Sequence, residues 1–241
     1  MRNHYLTFAI GVASIASQLQ FALPSLAGSE NQLFGGGDFT EKLDSQFGYF
    51  GVNTYLNGDT SDGGNFLSVI GGLGHYDYKN NLVSGGEVDG YISNISLLWG
   101  YKTVQGDLSL SGQLGVEYRN RNLKPNDPAA DTEGNWVGAK FSLESEYDSR
   151  GLFFNGFGEY STINNASFAR GRIGPNLGSI AIGPEVAWVS EDGWAVYRYG
   201  AFSRIKLDQD TKLIMSVGNA VNKNGNGGDG YYVSTGFDLG F

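Results

Sequence analysis

The last eleven residues, Tyr231-Tyr-Val-Ser-Thr-Gly-Phe-Asp-Leu-Gly-Phe241, constrain the fold more than any other segment. Tyr231, Val233, Phe237, Leu239 and Phe241 share one parity, broken only by Thr235, and Tyr232, Ser234, Gly236, Asp238 and Gly240 share the other. Alternate side chains of a strand point to opposite faces. One face is therefore apolar and the other polar or small, with an aromatic carboxy-terminus. That pattern belongs to a membrane barrel strand, with apolar residues toward lipid and polar residues toward the lumen.

The same two-residue period recurs upstream. Leu108, Leu110, Leu114, Val116 and Tyr118 alternate with Ser109, Ser111, Gln113, Gly115, Glu117 and Arg119. Ile95, Leu97, Trp99 and Tyr101 oppose Asn94, Ser96 and Gly100, and Ile180, Ile182, Val186 and Trp188 oppose Ala181, Gly183, Glu185 and Ala187. Strands are expected at 31–40, 46–56, 66–78, 88–101, 107–119, 134–147, 152–162, 166–177, 179–190, 194–206, 211–220 and 230–241. The reading is an all-β, transmembrane, antiparallel up-and-down barrel of about twelve strands, with eight, ten or fourteen as alternatives. The first strand, with Phe34-Gly-Gly-Gly-Asp38, has the weakest pattern. Pro184 inside a strand predicts an edge-like or bulged position. With both termini on the periplasmic side, most short links fall there and most long ones outside, as in outer-membrane barrels; 57–65 and 163–165 depart from the rule.

The amino-terminus points to export. Met1-Arg-Asn-His-Tyr5 is a short basic start, an apolar run extends from about Leu6 to Leu23, and Ser25-Leu26-Ala27 offers a small-x-small cleavage site. Residues 1–27 read as a signal peptide and 28–241 as the barrel. After Ala27 no run of eighteen apolar residues remains, so a membrane crossing has to be made by strands.

Composition narrows the chemistry. Gly reaches 38 of 241 residues, about twice ordinary usage, and aromatics make up 14%. Both disfavour helices and suit strands and turns. Cysteine is absent, so stability must come from the closed hydrogen-bonded wall rather than from disulfides. The net charge of −9, about −10 once the leader with Arg2 is gone, argues against nucleic acid as a partner.

Outside the leader the chain has one histidine, His75, in Gly74-His-Tyr-Asp-Tyr78. A serine hydrolase mechanism would have to use it as general base, with Asp77 on the same strand face. The alternative is a rim histidine among interface tyrosines. Asp59-Thr-Ser-Asp-Gly-Gly64 and Asn222-Lys-Asn-Gly-Asn-Gly-Gly-Asp229 resemble calcium loops, but the second lacks the acid at its first position and has Val233 where the closing Glu belongs. It reads as a polar loop, and neither a metal nor a cofactor is expected. Glu117, Arg119, Lys140, Glu144, Glu146, Glu159, Arg170, Arg172, Glu185, Arg198 and Arg204 fall at or near lumen parity, where charge avoids lipid. They either pair across a filled lumen or line a small aqueous path. The longest link, 120–133, carries two prolines and Asn/Asp turn chemistry within Asn120–Asp131. Tyr76, Tyr78 and Tyr118 are the aromatics placed at the rim, suited either to sugar faces or to the interface girdle.

Several segments resemble the BcsS cellulose biosynthesis protein family. They are Gly72-Leu-Gly-His-Tyr-Asp-Tyr78, Leu114-Gly-Val-Glu-Tyr118 running into Asn122-Leu-Lys-Pro-Asn-Asp-Pro128, Val137-Gly-Ala-Lys140, Ala169-Arg-Gly-Arg-Ile-Gly174 and Ile182-Gly-Pro-Glu185. The resemblance spans about Phe47 to Phe241. It implies an outer-membrane barrel associated with cellulose or exopolysaccharide production, with outer-membrane lipid, glucan and export machinery as partners, and it brings no catalytic residues. The expectation is a non-catalytic accessory barrel whose candidate ligand contacts are Tyr76, Tyr78, Tyr118, Glu117, Arg119, Arg170, Arg172, Glu185 and Arg198. The alternatives are a small-solute porin-like channel and a lipid-modifying enzyme using His75.

Overall fold

A computed structural model describes residues 31–41, 45–80, 83, 85–127, 130, 132–208, 210–223 and 229–241. The expected signal peptide, most of the Asn222–Asp229 loop and part of the 120–133 link lie outside the described residues. The described residues form twelve antiparallel strands closed into one barrel, each strand pairing with its neighbours in sequence and β1 with β12. The strands are β1 (Asn31–Thr40), β2 (Ser45–Tyr55), β3 (Gly63–Lys79), β4 (Glu87–Gln105), β5 (Leu108–Lys124), β6 (Gly134–Asp148), β7 (Phe153–Ser161), β8 (Ala166–Gly174), β9 (Ile180–Glu191), β10 (Trp194–Lys206), β11 (Thr211–Asn222) and β12 (Gly230–Gly240). A single 3-10 turn, Ile163–Asn165, joins β7 to β8.

Closure runs through the weakest sequence pattern. Gln32 pairs with Gly240 and the register continues to Thr40 opposite Tyr232. Asn31 and Phe241 exchange backbone hydrogen bonds of 2.8 and 2.9 Å, which fixes the end here called basal. The glycines of β1 supply no apolar alternation, yet the ladder needs only backbone groups, and closure leaves no open edge. The other end, the loop end, carries links 80–86, 125–133 and 223–229. Links 162–165 and 192–193 are short there, while 56–62 is long at the basal end, so link length alone does not orient the barrel.

The outer face is apolar. Leu67, Val69, Leu73, Ile95, Leu97, Trp99, Leu114, Val116, Phe141, Leu143, Val186, Tyr199, Val217 and Val233 are all exposed on it. The large buried side chains include charged ones, Arg204 and Glu117 among them. This inversion of the soluble-protein rule is what a lipid-facing wall around a polar interior produces.

Three boundaries differ from the sequence reading. β4 and β5 run further than the apolar pattern does, and the supposed loop Asn120–Lys124 is strand. Its inward residues Arg121 and Leu123 and outward residues Asn120, Asn122 and Lys124 keep the two-residue period without an apolar outer face. β8 stops at Gly174 rather than at 177. The β8–β9 register ends at Arg172 opposite Glu185, one residue before Pro184. Pro184 itself stays paired with Ala201 of β10. The proline, which has no N–H to donate, thus sits where one side of β9 leaves the ladder, as its chemistry requires.

Candidate functional site

Every lumen-parity charge named from the sequence does face inward, and hydrogen bonds join them into bars across the interior. At the basal end Arg204 of β10 reaches Asp148 of β6 at 2.5 Å, and Lys212 of β11 reaches Glu146 of β6 at 2.8 Å. These strands lie four and five places apart around the wall, so the contacts cross the lumen. Lys206 and Asn176 add further bonds to Asp148. In the middle, Arg172 of β8 pairs with Glu185 of β9 and donates to Ser216 Oγ of β11 at 2.9 Å. Ser216 and Tyr232 of β12 donate to the two oxygens of Glu185, each at 2.8 Å. Glu185 is 2% and Arg172 3% exposed. A buried carboxylate needs a partner for each oxygen, and here each has one or more.

Toward the loop end, Arg119 binds Glu117 on its own strand through Nε at 2.9 Å and Nη2 at 2.8 Å. Lys140 stands between Glu117 at 3.8 Å and Glu159 at 2.9 Å. Arg119 and Arg121 of β5 both reach Glu191 at the end of β9, at 3.1 and 2.6 Å. Asn164, in the 3-10 turn, donates to the same carboxylate at 3.2 Å. Arg198 of β10 donates to Asp38 Oδ1 of β1 at 3.0 Å and to Thr40 Oγ1 at 3.1 Å, with its guanidinium 5.4 Å from the Tyr232 ring centre. Arg170 lies 5.8 and 5.9 Å from the ring centres of Phe157 and Phe168, a cation against two aromatic faces.

Glu117, Arg119, Arg170, Arg172, Glu185 and Arg198 thus belong to one polar filling of the barrel. The three tyrosines do not share a place. Tyr76 and Tyr78 face inward at the loop end, stacked at 6.2 Å, and pack against the buried cluster Val83, Val88 and Leu123. Tyr78 donates to Asp127 at 2.6 Å, as does Asn80 at 2.7 Å, so the Asn126-Asp127 corner folds down onto β3. Tyr118 is on the outer face and donates to Asn135 at 2.7 Å. His75 and Asp77 also point outward, together on one face as the period requires. Arg121, Glu191, Asp148 and Asp38 were missed from sequence. Arg121 falls in the expected 120–133 link, although it continues the parity of Glu117 and Arg119. Glu191 and Asp148 each lie one residue past an expected strand end.

Two surfaces remain open. At the loop-end mouth Trp136, at inward parity, is exposed, with Phe168 and Trp194 half-buried beside the shorter strands. At the basal end a recess of about 810 Å³ is lined by Asp107, Asp148, Arg150, Asn176 and Lys206 with the small residues of their turns.

The barrel resembles solved outer-membrane proteins in fold. The COG4313 outer membrane channel from Pseudomonas putida F1 aligns over 91% of this chain and 97% of its own, with 12% identity and a TM-score of 0.52. The TodX deltaS2S3 mutant monoaromatic hydrocarbon channel aligns over 92% and 91%, with 6% identity and a TM-score of 0.54. At such identities the likeness concerns the fold alone. No curated protein sequence matches the chain. The family model for the cellulose biosynthesis protein BcsS matches residues 32–241, from the first strand to the final aromatic, and the chain belongs to that family.

Proposed function

We propose that this barrel is exported through residues 1–27, sits in the bacterial outer membrane, and acts there as a non-catalytic accessory of cellulose production, contacting glucan or its export machinery at the loop end. Family membership supports the cellulose role. The exposed apolar belt supports the membrane location. The observation that carries the accessory reading is the set of bars from Arg204 to Asp148, Arg172 to Ser216 and Arg121 to Glu191, which cross the lumen at three heights. A barrel filled by paired charges works through its ends rather than by passing solutes freely. The exposed Trp136, with Phe168 and Trp194, offers ring faces for sugar at one of those ends.

A clean deletion strain is expected to lose secreted cellulose, measured by dye binding and glucan assay, and to regain it with the wild-type gene. A Trp136→Ala gene should complement poorly while its barrel still reaches the outer membrane. Unchanged cellulose in the deletion strain overturns the role. Conductance of the purified barrel in planar bilayers tests the filled lumen directly, and large stable openings would favour the porin-like alternative.

A further inference from the structure

We propose that His75, Asp77 and Asp89 form a binding site for one divalent transition cation on the outer wall of the β3–β4 hairpin, near the loop end. Asp77 and Asp89 are direct cross-strand partners on the same face. Two carboxylates in that position repel each other, and a cation bound between them would relieve that repulsion. The next rung supplies a nitrogen donor. His75 Nε2 lies 3.1 Å from Asp77 Oδ1 and 3.7 Å from Asp89 Oδ1. One ligand atom from each residue fits within a mutual spacing of 4.8 Å. Ligands held at zinc-like distances of about 2.0–2.2 Å in a tetrahedron are spaced roughly 3.3–3.6 Å apart, so small side-chain adjustments suffice.

The site is built on strands rather than on a loop. The β3–β4 register is unbroken from Gly63–Thr103 to Lys79–Glu87, so the three Cβ positions are fixed by the ladder. The Tyr91 ring lies 4.8 Å from the imidazole and restrains its rotation. Two lysines flank the site: Lys79 stands opposite Glu87 one rung beyond, and Lys124 of β5 stands opposite Asp89, with its ammonium 5.8 Å from the Tyr91 ring centre. Asp77 Oδ1 is withdrawn from solvent beside Nε2, while the Asp89 side chain is half exposed and leaves a way in from outside. One nitrogen and two carboxylate oxygens suit zinc, cobalt or nickel better than magnesium or calcium, which prefer all-oxygen shells. Three protein ligands leave a position open to an oxygen ligand from outside the barrel.

The test uses the full-length barrel, isolated in detergent without a histidine tag, freed of metal by chelation and titrated with Co²⁺ and Zn²⁺ at pH 7.5. One equivalent of Co²⁺ is expected to bind with the intense visible bands of a tetrahedral site, and Zn²⁺ should displace it while excess Mg²⁺ does not. Asp89→Asn and His75→Gln should each weaken binding more than about tenfold. Glu87→Gln, one rung away, should leave it unchanged. Heat-modifiable gel migration checks that each variant is folded. Absence of saturable Co²⁺ or Zn²⁺ binding to the folded wild type overturns the proposal. So does equal affinity in wild type, Asp89→Asn and His75→Gln, which would place the metal elsewhere.

Discussion

The wall formed by β1–β4 and the sector from β5 to β12 line the same lumen by different means. In β1–β4 the inward aromatic rings lie flat on glycines of the neighbouring strand. A Cβ placed on Gly51 would meet the Phe34 ring at 2.3 Å, one on Gly100 the Phe66 ring at 2.3 Å, and one on Gly90 the Tyr76 ring at 2.3 Å. From β5 onward many inward positions carry Arg, Lys, Glu or Asp, several of which reach over intervening strands, alongside buried rings such as Phe153 and Phe202. One side is sealed mainly by rings against backbone and the other mainly by charge-assisted hydrogen bonds across space, with Asp38 of β1 joining the second through Arg198. Polar-or-small parity in the sequence therefore covers two unlike devices. Glycine on the inner face makes room for a ring, and charge on the inner face spans the gap.

The largest effect expected from breaking this contrast lies in the charged sector. Glu185→Leu leaves Arg172 buried without its carboxylate and takes an acceptor from Ser216 and Tyr232. Removing one partner of such a pair costs about 3–5 kcal/mol. The loss should appear as a lower urea midpoint of the folded barrel in micelles. Adding Arg172→Met to the same chain should recover much of it, because the unpaired charge is then gone. If Glu185→Leu alone costs less than about 1 kcal/mol, water rather than the bar is satisfying Arg172, and the filled-lumen description fails there.

A smaller effect is expected in the ring-lined wall. Gly100→Ala puts a methyl 2.3–2.8 Å from three atoms of the buried Phe66 ring, which also packs on Tyr55 at 5.4 Å. The ring must tilt or the strands shift, a cost of about 1–3 kcal/mol by the usual scale of overpacking. In a Phe66→Ala background the same substitution should cost little, since nothing remains to collide with. Additive losses in that double-mutant cycle would show that Gly100 matters for its backbone and not for the ring.

This contrast also sets what was legible beforehand. The lipid-facing period points to the barrel, to about twelve strands with eight, ten and fourteen left open, and to most strand ends, because every turn of that period has to satisfy lipid on one side; β1, with its glycines, carries no such period. Inward charge was legible as parity, but its pairing was not. Arg204 and Asp148 are 56 residues apart, and their meeting depends on barrel curvature and strand stagger. The pattern places Tyr76 and Tyr78 at the rim. Their cover by Val83, Leu123 and the Asp127 corner depends on loops whose sequence carries no period. Asp89 lies within an expected strand and carries no signal of its own, since what sets it apart is Asp77 opposite, and register is not written in either strand alone.

The smallest effect separates the buried charges from an exposed one. Asp208 closes the basal turn between β10 and β11, its Oδ1 accepting from the backbone N–H of Asp210 at 2.9 Å and of Thr211 at 2.7 Å. Those donors, Asp210's first, hold its carboxyl below the ordinary value of 3.8. A group depressed in the folded state adds stability that is present above its unfolded pKa and is lost as pH falls through the folded one. Asp208→Asn keeps an acceptor oxygen and removes the charge. The wild type should therefore be slightly more stable than the variant at about pH 6, with the gap closing progressively below about pH 4. Unfolding midpoints across that range measure it. A gap that persists unchanged at about pH 3 would mean the carboxylate charge is not its source. A gap at about pH 6 as large as that of Glu185→Leu would mean that a four-residue turn holds the barrel as firmly as the bars inside it, and the division between filling and wall would lose its energetic basis.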